Sequence, residues 1–350
     1  MEGSMWAARL HAPGNIVCEK VPIPVIGPDE VLVRVKAAGV CGSDHSRVMQ
    51  TGTYSYPTTV GHEFAGDVVE VGPGVAGWTP GDRVTVIPLI PCGECPSCKL
   101  GKYHLCDSYD YFGSRRDGAF AEYVAVPTAN LLRLPDSVDY ETAAMTDPAS
   151  VALHAVRKSG LSIGESVAVL GAGPIGAFAI QWAKIAGAGL VAATDVQEPK
   201  LILAKELGAD VTVNARNEDP VAALHRVAPG GFSRVIEIAG SPAAQEQAIH
   251  IARKGGAVVY CGISHARLPL SESSVDVLMR REISIVGSWN SGFAPDESTN
   301  DWATSVHFFG QRALRALPLV THRYALDQVK QAFAMAADRG SYFNKILFLP

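Results

Sequence analysis

Four of the chain's seven cysteines lie in one stretch, residues 91–106, and their thiols are the first groups in the sequence that could bind a metal. They follow the spacing C-x2-C-x2-C-x7-C, as Cys92, Cys95, Cys98 and Cys106. Four thiolates joined by short loops suit tetrahedral zinc, and an iron–sulfur cluster is the alternative for this spacing. Because four thiolates leave no open position for a substrate, we expect this metal to be structural.

The expected compartment favours a metal over disulfides. The chain opens without a basic region followed by a long apolar core, so no signal peptide is predicted and we expect a cytoplasmic protein, where disulfides are rare. No apolar run is long enough to cross a membrane, and a net charge of −5 is opposite to the basic face that a nucleic acid requires. We therefore expect no membrane and no nucleic acid among the partners.

Metal-ligating residue types also occur in GVCGSDHSR and VGHEFAG. Cys41 and His62 lie among glycines after predicted strands, and Glu63 follows His62. Asp147, in TDPAS, lies where two domains are expected to meet. A thiolate, an imidazole and a carboxylate with one open position form the pattern of a catalytic zinc. Each residue also has an ordinary structural explanation, a buried thiol or a local hydrogen-bonded pair, so these residues alone leave the site undecided.

A glycine-rich turn predicts a dinucleotide site. The pattern G-x-G-x-x-G lies between a predicted strand and a predicted helix, and Asp195 ends the next predicted strand. In this context the glycines make the turn, admit the pyrophosphate to the helix N-terminus and let the helix pack. Asp195 should bind the adenosine ribose and repel a 2′-phosphate, which favours NAD over NADP. The candidate cofactor contacts are Gly171, Gly173, Pro174, Ile175, Gly176, Asp195, Gly240, Gly262 and Ser288. The alternative is a domain of this kind that has lost its cofactor.

The order of predicted elements indicates an α/β chain of about two domains. The first third holds short β-branched runs stopped by Gly, Pro and Asp, which predict an irregular barrel-like domain. The stretch YETAAMTDPASVALHAVRKSG predicts a helix interrupted at Pro148. Strands then alternate with helices as far as EISIVGSW, which predicts a doubly wound parallel sheet. We place the sheet domain at 154–290, and the barrel-like domain at 1–153 together with 291–350, with its cysteine lobe at 91–107.

Together these motifs resemble the zinc-dependent medium-chain dehydrogenase/reductase superfamily over nearly the whole chain. The matching stretches are GVCGSD (39–44), VGHEFAGDVVEVGPGV (60–75), GDRV (81–84), the cysteine lobe, DGAFAEYVAVP (117–127), GAGPIG (171–176) with Asp195, and VGSW (286–289). The resemblance implies a GroES-like barrel domain joined to a Rossmann domain that binds NAD. It also implies two zinc ions per chain, one structural and one catalytic, and a homodimer or homotetramer paired through the EISIVGSW edge.

By resemblance, Cys41 and His62 bind the catalytic zinc, and Glu63 and Asp147 take the remaining positions, directly or through water. The polyol branch of the superfamily carries Glu where this chain has Asp147, which is one methylene shorter. Lys345 matches a superfamily position too, and we expect it either near the cofactor phosphates or on the surface.

The resemblance also implies a proton relay. Ser43 takes the position of the hydroxyl that bridges the alcohol and the cofactor ribose. Many members carry a histidine five residues after the cysteine, whereas this chain has Ser46 there and His45 one place earlier. His45 is therefore either a displaced end of the relay or a polar loop residue.

The implied reaction is the reversible oxidation of a secondary alcohol to a ketone, with hydride transfer to NAD. One stretch, YDYFGSRRDGAFAEY (109–123), carries GSRR before Asp117, which is not common to the superfamily. Together with LCDSYDYFG, GSWNS and LPLVTHR (317–323), it most resembles the galactitol-1-phosphate 5-dehydrogenases of the polyol (sorbitol) dehydrogenase branch. A phosphate requires guanidinium groups, for which Arg47, Arg115 and Arg116 are candidates, and Asn290 is a candidate for substrate hydroxyls. The arginines could instead pair with neighbouring acids.

Two other functions stay open on the sequence. One is a dehydrogenase of an unphosphorylated polyol, a cyclitol or an amino alcohol such as threonine. The other is a non-catalytic NAD-binding structural protein. The joint presence of Cys41, Ser43, His62 and Glu63 counts against the latter, because a protein without turnover does not need them.

Overall fold

The structure is a computed structural model that describes residues 3–264, 266–294, 300–338 and 340–350. The chain forms two compact units, Met1–Asp147 with Gly292–Pro350, and Pro148–Ser291. The sequence placed the two divisions after residues 153 and 290, whereas the contacts place them after residues 147 and 291.

The strands of the described residues are β1 (Ser4–Ala12), β2 (Asn15–Pro22), β3 (Glu30–Gly39), β4 (Thr58–Thr59), β5 (Glu63–Val71), β6 (Arg83–Val86), β7 (Leu89–Ile90), β8 (Asp110–Tyr111), β9 (Tyr123–Pro127), β10 (Leu131–Arg133), β11 (Ser166–Leu170), β12 (Leu190–Asp195), β13 (Val211–Asn214), β14 (Phe232–Glu237), β15 (Ala252–Tyr260), β16 (Ser284–Gly287), β17 (Val320–Tyr324) and β18 (Lys345–Phe348). The α-helices are α1 (Gly42–Ser46), α2 (Pro96–Lys99), α3 (Tyr140–Ala143), α4 (Thr146–Lys158), α5 (Pro174–Ile185), α6 (Glu198–Glu206), α7 (Pro220–Val227), α8 (Pro242–Ile251), α9 (Glu272–Arg280), α10 (Asp301–Gly310) and α11 (Val329–Ala337). No described helix is both long and apolar enough to cross a membrane.

The first unit is built on a seven-stranded sheet in the order β10-β6-β5-β3-β18-β17, with β9 also paired to β3. Strand β18 pairs antiparallel with β3, with Leu347 opposite Gly39, which ties the end of the chain to its first third. Buried aliphatic side chains and phenylalanine rings form the core, and the rings of Phe120 and Phe348 meet edge to face at 4.8 Å. The sequence predicted this return of the last sixty residues, and the pairing of β18 provides its physical basis.

The second unit is a six-stranded sheet in the order β13-β12-β11-β14-β15-β16, and every strand pair in it is parallel. This is the doubly wound order of dinucleotide-binding domains, as predicted. Its inner strands are short Val, Ala and Ile runs that are almost wholly buried, because helices can cover both faces of a parallel sheet.

Pro148 does not interrupt a helix, which corrects the sequence prediction. Helix α3 ends at Ala143 and α4 begins at Thr146, so Pro148 occupies the first turn of α4. The first amides of a helix have no partner within it, so the missing N–H of proline costs nothing there. The break falls at residues 144–145, and it leaves Asp147 in the first turn of α4.

Candidate metal and nucleotide sites

The pairing of β3 with β5 assembles the first candidate metal site. Gly39 lies opposite Glu63 in this antiparallel pair. Cys41, just beyond the end of β3, and His62, just before β5, therefore meet. Ligand atoms of Cys41, His62 and Glu63 all lie within 4.8 Å of one another, so the three residues fit one metal ion.

Asp44 orients two of these ligands. Its Oδ2 accepts a hydrogen bond from the amide of Cys41 at 3.0 Å, and its Oδ1 lies 3.1 Å from Nδ1 of His62. This contact leaves Nε2 of His62 for a metal, the usual arrangement for a ligating histidine. Burial disfavours both charges, but the charge and hydrogen bond of Asp44 raise the pKa of His62 well above its usual range. The charge of His62, with that of Arg47, in turn lowers the pKa of Asp44 against the effect of burial.

Glu63 has a buried partner. The ammonium group of Lys345 donates a hydrogen bond to Oε2 of Glu63, and both side chains are only 2% exposed. The expectation that Lys345 could lie on the surface is therefore wrong. Gly39 makes room for the pair, because a Cβ at this position would approach Cε of Lys345 to 2.8 Å.

Asp147 is buried beside these residues but does not belong to the three-ligand group. Its Oδ1 has no hydrogen-bond partner among the described residues. Burial raises the pKa of Asp147 to about 7, and the charge of Glu63 acts in the same direction. The unpartnered oxygen of Asp147 therefore remains available to a further group beside the three ligands.

The residues expected to relay a proton, Ser43 and His45, are not hydrogen-bonded to each other in the structure. Arg47 donates a hydrogen bond to Oγ of Ser43 at 2.9 Å and lies 3.7 Å from Asp44. A guanidinium group has no acceptor, so the hydroxyl proton of Ser43 must point to another group. Nε2 of His45 is buried and has no hydrogen-bond partner among the described residues, so His45 is not a simple exposed loop residue.

The four cysteines of the lobe converge on a second site. Their sulfur atoms all lie within 4.8 Å of one another, and those of Cys92 and Cys98 are 4.0 Å apart. Zinc–sulfur bonds of about 2.3 Å set sulfur atoms about 3.8 Å apart in a tetrahedron, so the lobe fits zinc. All seven cysteines are free thiols, which excludes the disulfide alternative. Hydrogen bonds from the amides of Asp107 and Cys98 lower the pKa of Cys95 to about 7, which favours the thiolate.

The glycine-rich turn has the shape of a nucleotide cradle. Gly171 has φ of +101°, and a Cβ there would meet the amide nitrogen of Ala239 at 2.8 Å. A Cβ on Gly176 would overlap the carbonyl oxygen of Gly171, whereas a Cβ on Gly173 would point into open space. No side chain caps the N-terminus of α5 at Gly173, so its first amides remain available to a phosphate. Pro174 and Ile175 begin α5 and are partly buried.

Asp195 ends β12 and is already bonded on both oxygens. Oδ2 accepts from the amide of Ala172 at 2.8 Å, and Oδ1 accepts from the amide of Gln197 at 2.9 Å. The carboxylate therefore also fixes the glycine-rich turn, a role that the motif did not reveal.

Loops after the later strands carry the remaining candidates of this unit. Gly240 has φ of +66°, and a Cβ on Gly262 would overlap its amide nitrogen, so both positions require glycine. Oγ of Ser288 is buried and has no hydrogen-bond partner among the described residues. Asn290 adopts φ of +56°, and its Oδ1 accepts from the hydroxyl of Ser291 at 3.4 Å. The side chain of Asn290 is thus held by its neighbour.

Comparison with known proteins identifies the family of the chain. Residues 27–136 match the alcohol dehydrogenase GroES-like domain, and residues 174–310 match the zinc-binding dehydrogenase family. The galactitol 1-phosphate 5-dehydrogenase of Escherichia coli (strain K12) is 36% identical over 335 residues, which cover 95% of this chain and 96% of that protein. The chain belongs to the zinc-dependent medium-chain dehydrogenase/reductase superfamily. The sequence-based recognition of the superfamily and of its polyol branch is confirmed.

Other relatives of the enzyme differ in substrate and in cofactor. The L-threonine 3-dehydrogenase of Symbiobacterium thermophilum is 37% identical over 358 residues, covering 100% of this chain and 99% of that protein. A zinc-binding dehydrogenase of Sinorhizobium meliloti 1021, solved bound to NADP, has a TM-score of 0.92 and 34% identity, covering 99% of this chain and 100% of that one. Membership of the family thus establishes that the chain is a dehydrogenase. It does not identify the alcohol that is oxidised or the dinucleotide that is bound.

Tyr111 is the main residue at the metal site of the enzyme that sequence reasoning missed. Its ring packs edge to face on His62, with centroids 5.5 Å apart. Burial and the charges of Asp147 and Cys41 raise the pKa of Tyr111 well above its usual range. No metal-ligand spacing includes a tyrosine, and the only signal was its position just before the GSRR stretch. Asp44 was also missed as an orienting group, although it lies three residues after Cys41.

The candidate phosphate-binding arginines of the enzyme have different partners. Arg116 lies 3.5 Å from Glu30 and 3.6 Å from Asp110, so the acid-paired alternative is correct for this residue. Arg115 has no carboxylate within ion-pair distance among the described residues. Its guanidinium instead lies over the rings of Tyr54 and Tyr109.

Proposed function

We propose that the enzyme is a zinc-dependent NAD oxidoreductase that reversibly oxidises a secondary alcohol of a polyol to a ketone. The convergence of Cys41, His62 and Glu63 within 4.8 Å is the observation that supports this most. It is the donor set of a catalytic zinc, with a thiolate, an imidazole and a carboxylate. We propose a second, structural zinc in the cysteine lobe, so that each chain binds two.

The residues around the metal site have separate tasks in this reaction. Zinc, when bound, polarises the alcohol oxygen, and NAD accepts the hydride. Asp44 keeps Cys41 and His62 in place and sets the ring nitrogen that faces the metal. The hydroxyl of Ser43 receives the proton of the alcohol. Because Arg47 cannot accept a proton, we propose that the proton leaves Ser43 through His45 or water.

A polyol is the substrate class that the relatives and the site favour. The E. coli relative is named for a polyol phosphate. The GSRR stretch of this chain resembles that branch. A second candidate is an amino alcohol, since the relative of similar identity from S. thermophilum is named for L-threonine. Comparing the activity on a hexitol with the activity on L-threonine distinguishes the two candidates.

We propose NAD as the dinucleotide. The support is Asp195, whose carboxylate at the end of β12 would lie against a 2′-phosphate without a nearby cation in Val196 or Gln197. Replacing it by serine (Asp195→Ser) should lower the ratio of kcat/KM for NAD to that for NADP. If the wild type already prefers NADP, the assignment to NAD is wrong.

The domain roles and the assembly belong to the same proposal. Residues 154–290 would bind NAD, and residues 1–153 with 291–350 would bind both zinc ions. Strand β16 ends the parallel sheet with mostly exposed residues, and an unpaired edge can join a second sheet. We therefore propose a homodimer or homotetramer, which light scattering on the purified protein would distinguish from a monomer.

A substrate screen tests the proposed function directly. Zinc-loaded protein would be assayed by absorbance of the reduced nicotinamide, with NAD or NADP and with hexitols, pentitols, hexitol phosphates and L-threonine. We expect oxidation of at least one polyol by the wild type and none by Cys41→Ser, which retains the cysteine lobe. Equal rates in the two proteins, or the absence of activity on all polyols, would contradict the proposal.

A further inference from the structure

The three candidate phosphate-binding arginines differ in how their charge is compensated. Arg47 lies against Asp44 and Ser43, and Arg116 lies between Glu30 and Asp110. Arg115 has no such acid among the described residues, and its side chain is exposed. A guanidinium whose charge is not compensated by the protein is the one available to an anionic ligand.

Two tyrosine rings hold this guanidinium. Its central carbon lies 4.4 Å from the ring centroid of Tyr54 and 4.6 Å from that of Tyr109, and one of its nitrogens donates to the Tyr54 hydroxyl at 3.3 Å. Stacking uses the face of the guanidinium and leaves N–H donors in its plane, which are the donors that bind two phosphate oxygens together. The stack also reduces the rotamer freedom that an isolated exposed arginine would lose on binding.

Backbone hydrogen bonds hold Arg115 and Tyr54, two members of this stack, in place. The amide of Arg115 donates to the carbonyl of Tyr111 at 3.0 Å, and the amide of Tyr54 donates to the carbonyl of Ser114 at 3.2 Å. Arg115 is therefore tied to the segment that places Tyr111 at the metal site. Its position is set by that segment rather than by a free loop.

A short series of rings connects Arg115 with the metal site. The ring of Tyr109 meets that of Tyr111 with centroids 6.2 Å apart, and Tyr111 meets His62 at 5.5 Å. Arg115 is thus removed from the metal ligands by two aromatic rings. A substrate whose reacting carbon lies at the metal would need several further carbons to bring an anionic group to this guanidinium, which a phosphorylated polyol provides.

We infer that Arg115, held on the rings of Tyr54 and Tyr109, binds a phosphate monoester at the end of the polyol substrate that is distant from the oxidised carbon. This inference rests on the proposed polyol dehydrogenase function. Arg116 and Arg47 do not share this task, because carboxylates already compensate their charges. Arg115 determines specificity and does not take part in the chemical step.

The test compares selectivity between a phosphorylated and a free polyol. Wild type, Arg115→Ala, Arg115→Lys and Arg116→Gln would be assayed with galactitol 1-phosphate and with galactitol. Arg133→Gln is the matched control, because Arg133 also stacks on an aromatic ring, Trp78 at 4.6 Å, and has no role in the site. The loss of a bidentate charged contact should lower the phosphate-to-free ratio of kcat/KM about 10- to 100-fold in Arg115→Ala. Arg115→Lys should recover only part of the ratio, since an ammonium group binds a phosphate as a point charge.

Inhibition by inorganic phosphate gives an independent readout. With galactitol as substrate, phosphate should inhibit the wild type competitively, and its inhibition constant should rise about tenfold or more in Arg115→Ala but not in Arg133→Gln.

The outcomes distinguish a failure of the Arg115 assignment from a failure of the proposed polyol dehydrogenase function. If the wild type prefers the phosphate ester but Arg115→Ala behaves as Arg133→Gln does, or if Arg116→Gln loses as much selectivity, the assignment to Arg115 is wrong. If the wild type oxidises galactitol as well as its phosphate, the phosphate inference fails and the proposed function stands. If neither compound nor any other polyol is oxidised, both fail.

Discussion

Oδ1 of Asp44 lies 3.1 Å from Nδ1 of His62, and both side chains are almost completely excluded from solvent. The same carboxylate accepts the amide of Cys41, so one side chain positions two candidate metal ligands. Because the pair is buried, its geometry depends on the negative charge of Asp44 as well as on its shape.

Replacing Asp44 by asparagine should weaken zinc binding at this site. Asparagine preserves the size of the side chain but removes the charge that orients His62, and loss of such outer partners lowers metal affinity about 10- to 100-fold. Competition with a chromogenic chelator would measure the affinity, and Asp210→Asn, an exposed ion-pair change in the other unit, is the control. If Asp44→Asn keeps its second zinc as tightly as the control does, Asp44 is not an orienting residue.

The two metal sites should respond differently to the loss of one cysteine. Both Cys98→Ser and Cys41→Ser should reduce the zinc content from two ions to one. Cys98→Ser removes a metal that stabilises the fold, so we expect its Tm to fall by about 10 °C. Cys41→Ser should abolish activity with a much smaller change in Tm. Elemental analysis and calorimetry on the same samples would measure both effects, and equal losses of stability would contradict the division into structural and catalytic sites.

The ion pair between Lys345 and Glu63 should show strong coupling. In Lys345→Met the carboxylate of Glu63 is left buried without its partner, a change that typically costs about 3–5 kcal/mol. The double variant Glu63→Gln/Lys345→Met has no buried charge at this position, so it should be more stable than Lys345→Met alone. Urea unfolding of the metal-free proteins measures the free energy of unfolding of each variant without a contribution from zinc. Additive losses would show that the two side chains do not depend on each other.

Glu237 should make stability depend on pH. It is fully buried at the end of β14, and burial raises its pKa from 4.5 to about 7, although amides such as that of Gly240 donate to it. The folded protein therefore holds this proton more tightly than the unfolded chain does. The resulting stabilisation is present below about pH 4.5 and is lost as the pH rises to about 7.

The variant Glu237→Gln isolates this effect, because glutamine can accept from the same amide and carries no charge. The free energy of unfolding of Glu237→Gln minus that of the wild type should rise by about 3 kcal/mol between about pH 5 and pH 8. Glu246→Gln is a control of opposite sign. Hydrogen bonds from Ser271 and Ser274 lower the pKa of Glu246 to about 2, so that variant should lose stability at high pH and approach the wild type as the pH falls. A wild-type minus Glu237→Gln difference that is constant with pH would contradict the assignment.

Local patterns were enough to predict the second unit and the cysteine lobe, whereas Cys41, His62 and Glu63 were predicted as ligands only through the resemblance to the superfamily. The glycine-rich turn requires glycine for reasons that operate within a few residues, as the positive φ of Gly171 and the overlap at Gly176 show. The cysteine lobe is likewise local, since its ligands lie within residues 91–106. Pro148 was misjudged because proline breaks a helix only beyond the first turn, and the start of α4 depended on where α3 ended.

By itself, the sequence determined the superfamily, the two domain types and the cysteine lobe. It also predicted Cys41 and His62 as metal ligands, by resemblance, and Asp195 as a cofactor contact, from its motif. Only the tertiary structure decided which side chains pair across large separations along the chain. It placed Lys345 against Glu63 through the pairing of β18 with β3, gave Arg116 two acidic partners and left Arg115 on two tyrosine rings. The physical reason is that the charge state and availability of a side chain depend on its neighbours in space, and those neighbours are set by strand register rather than by local spacing.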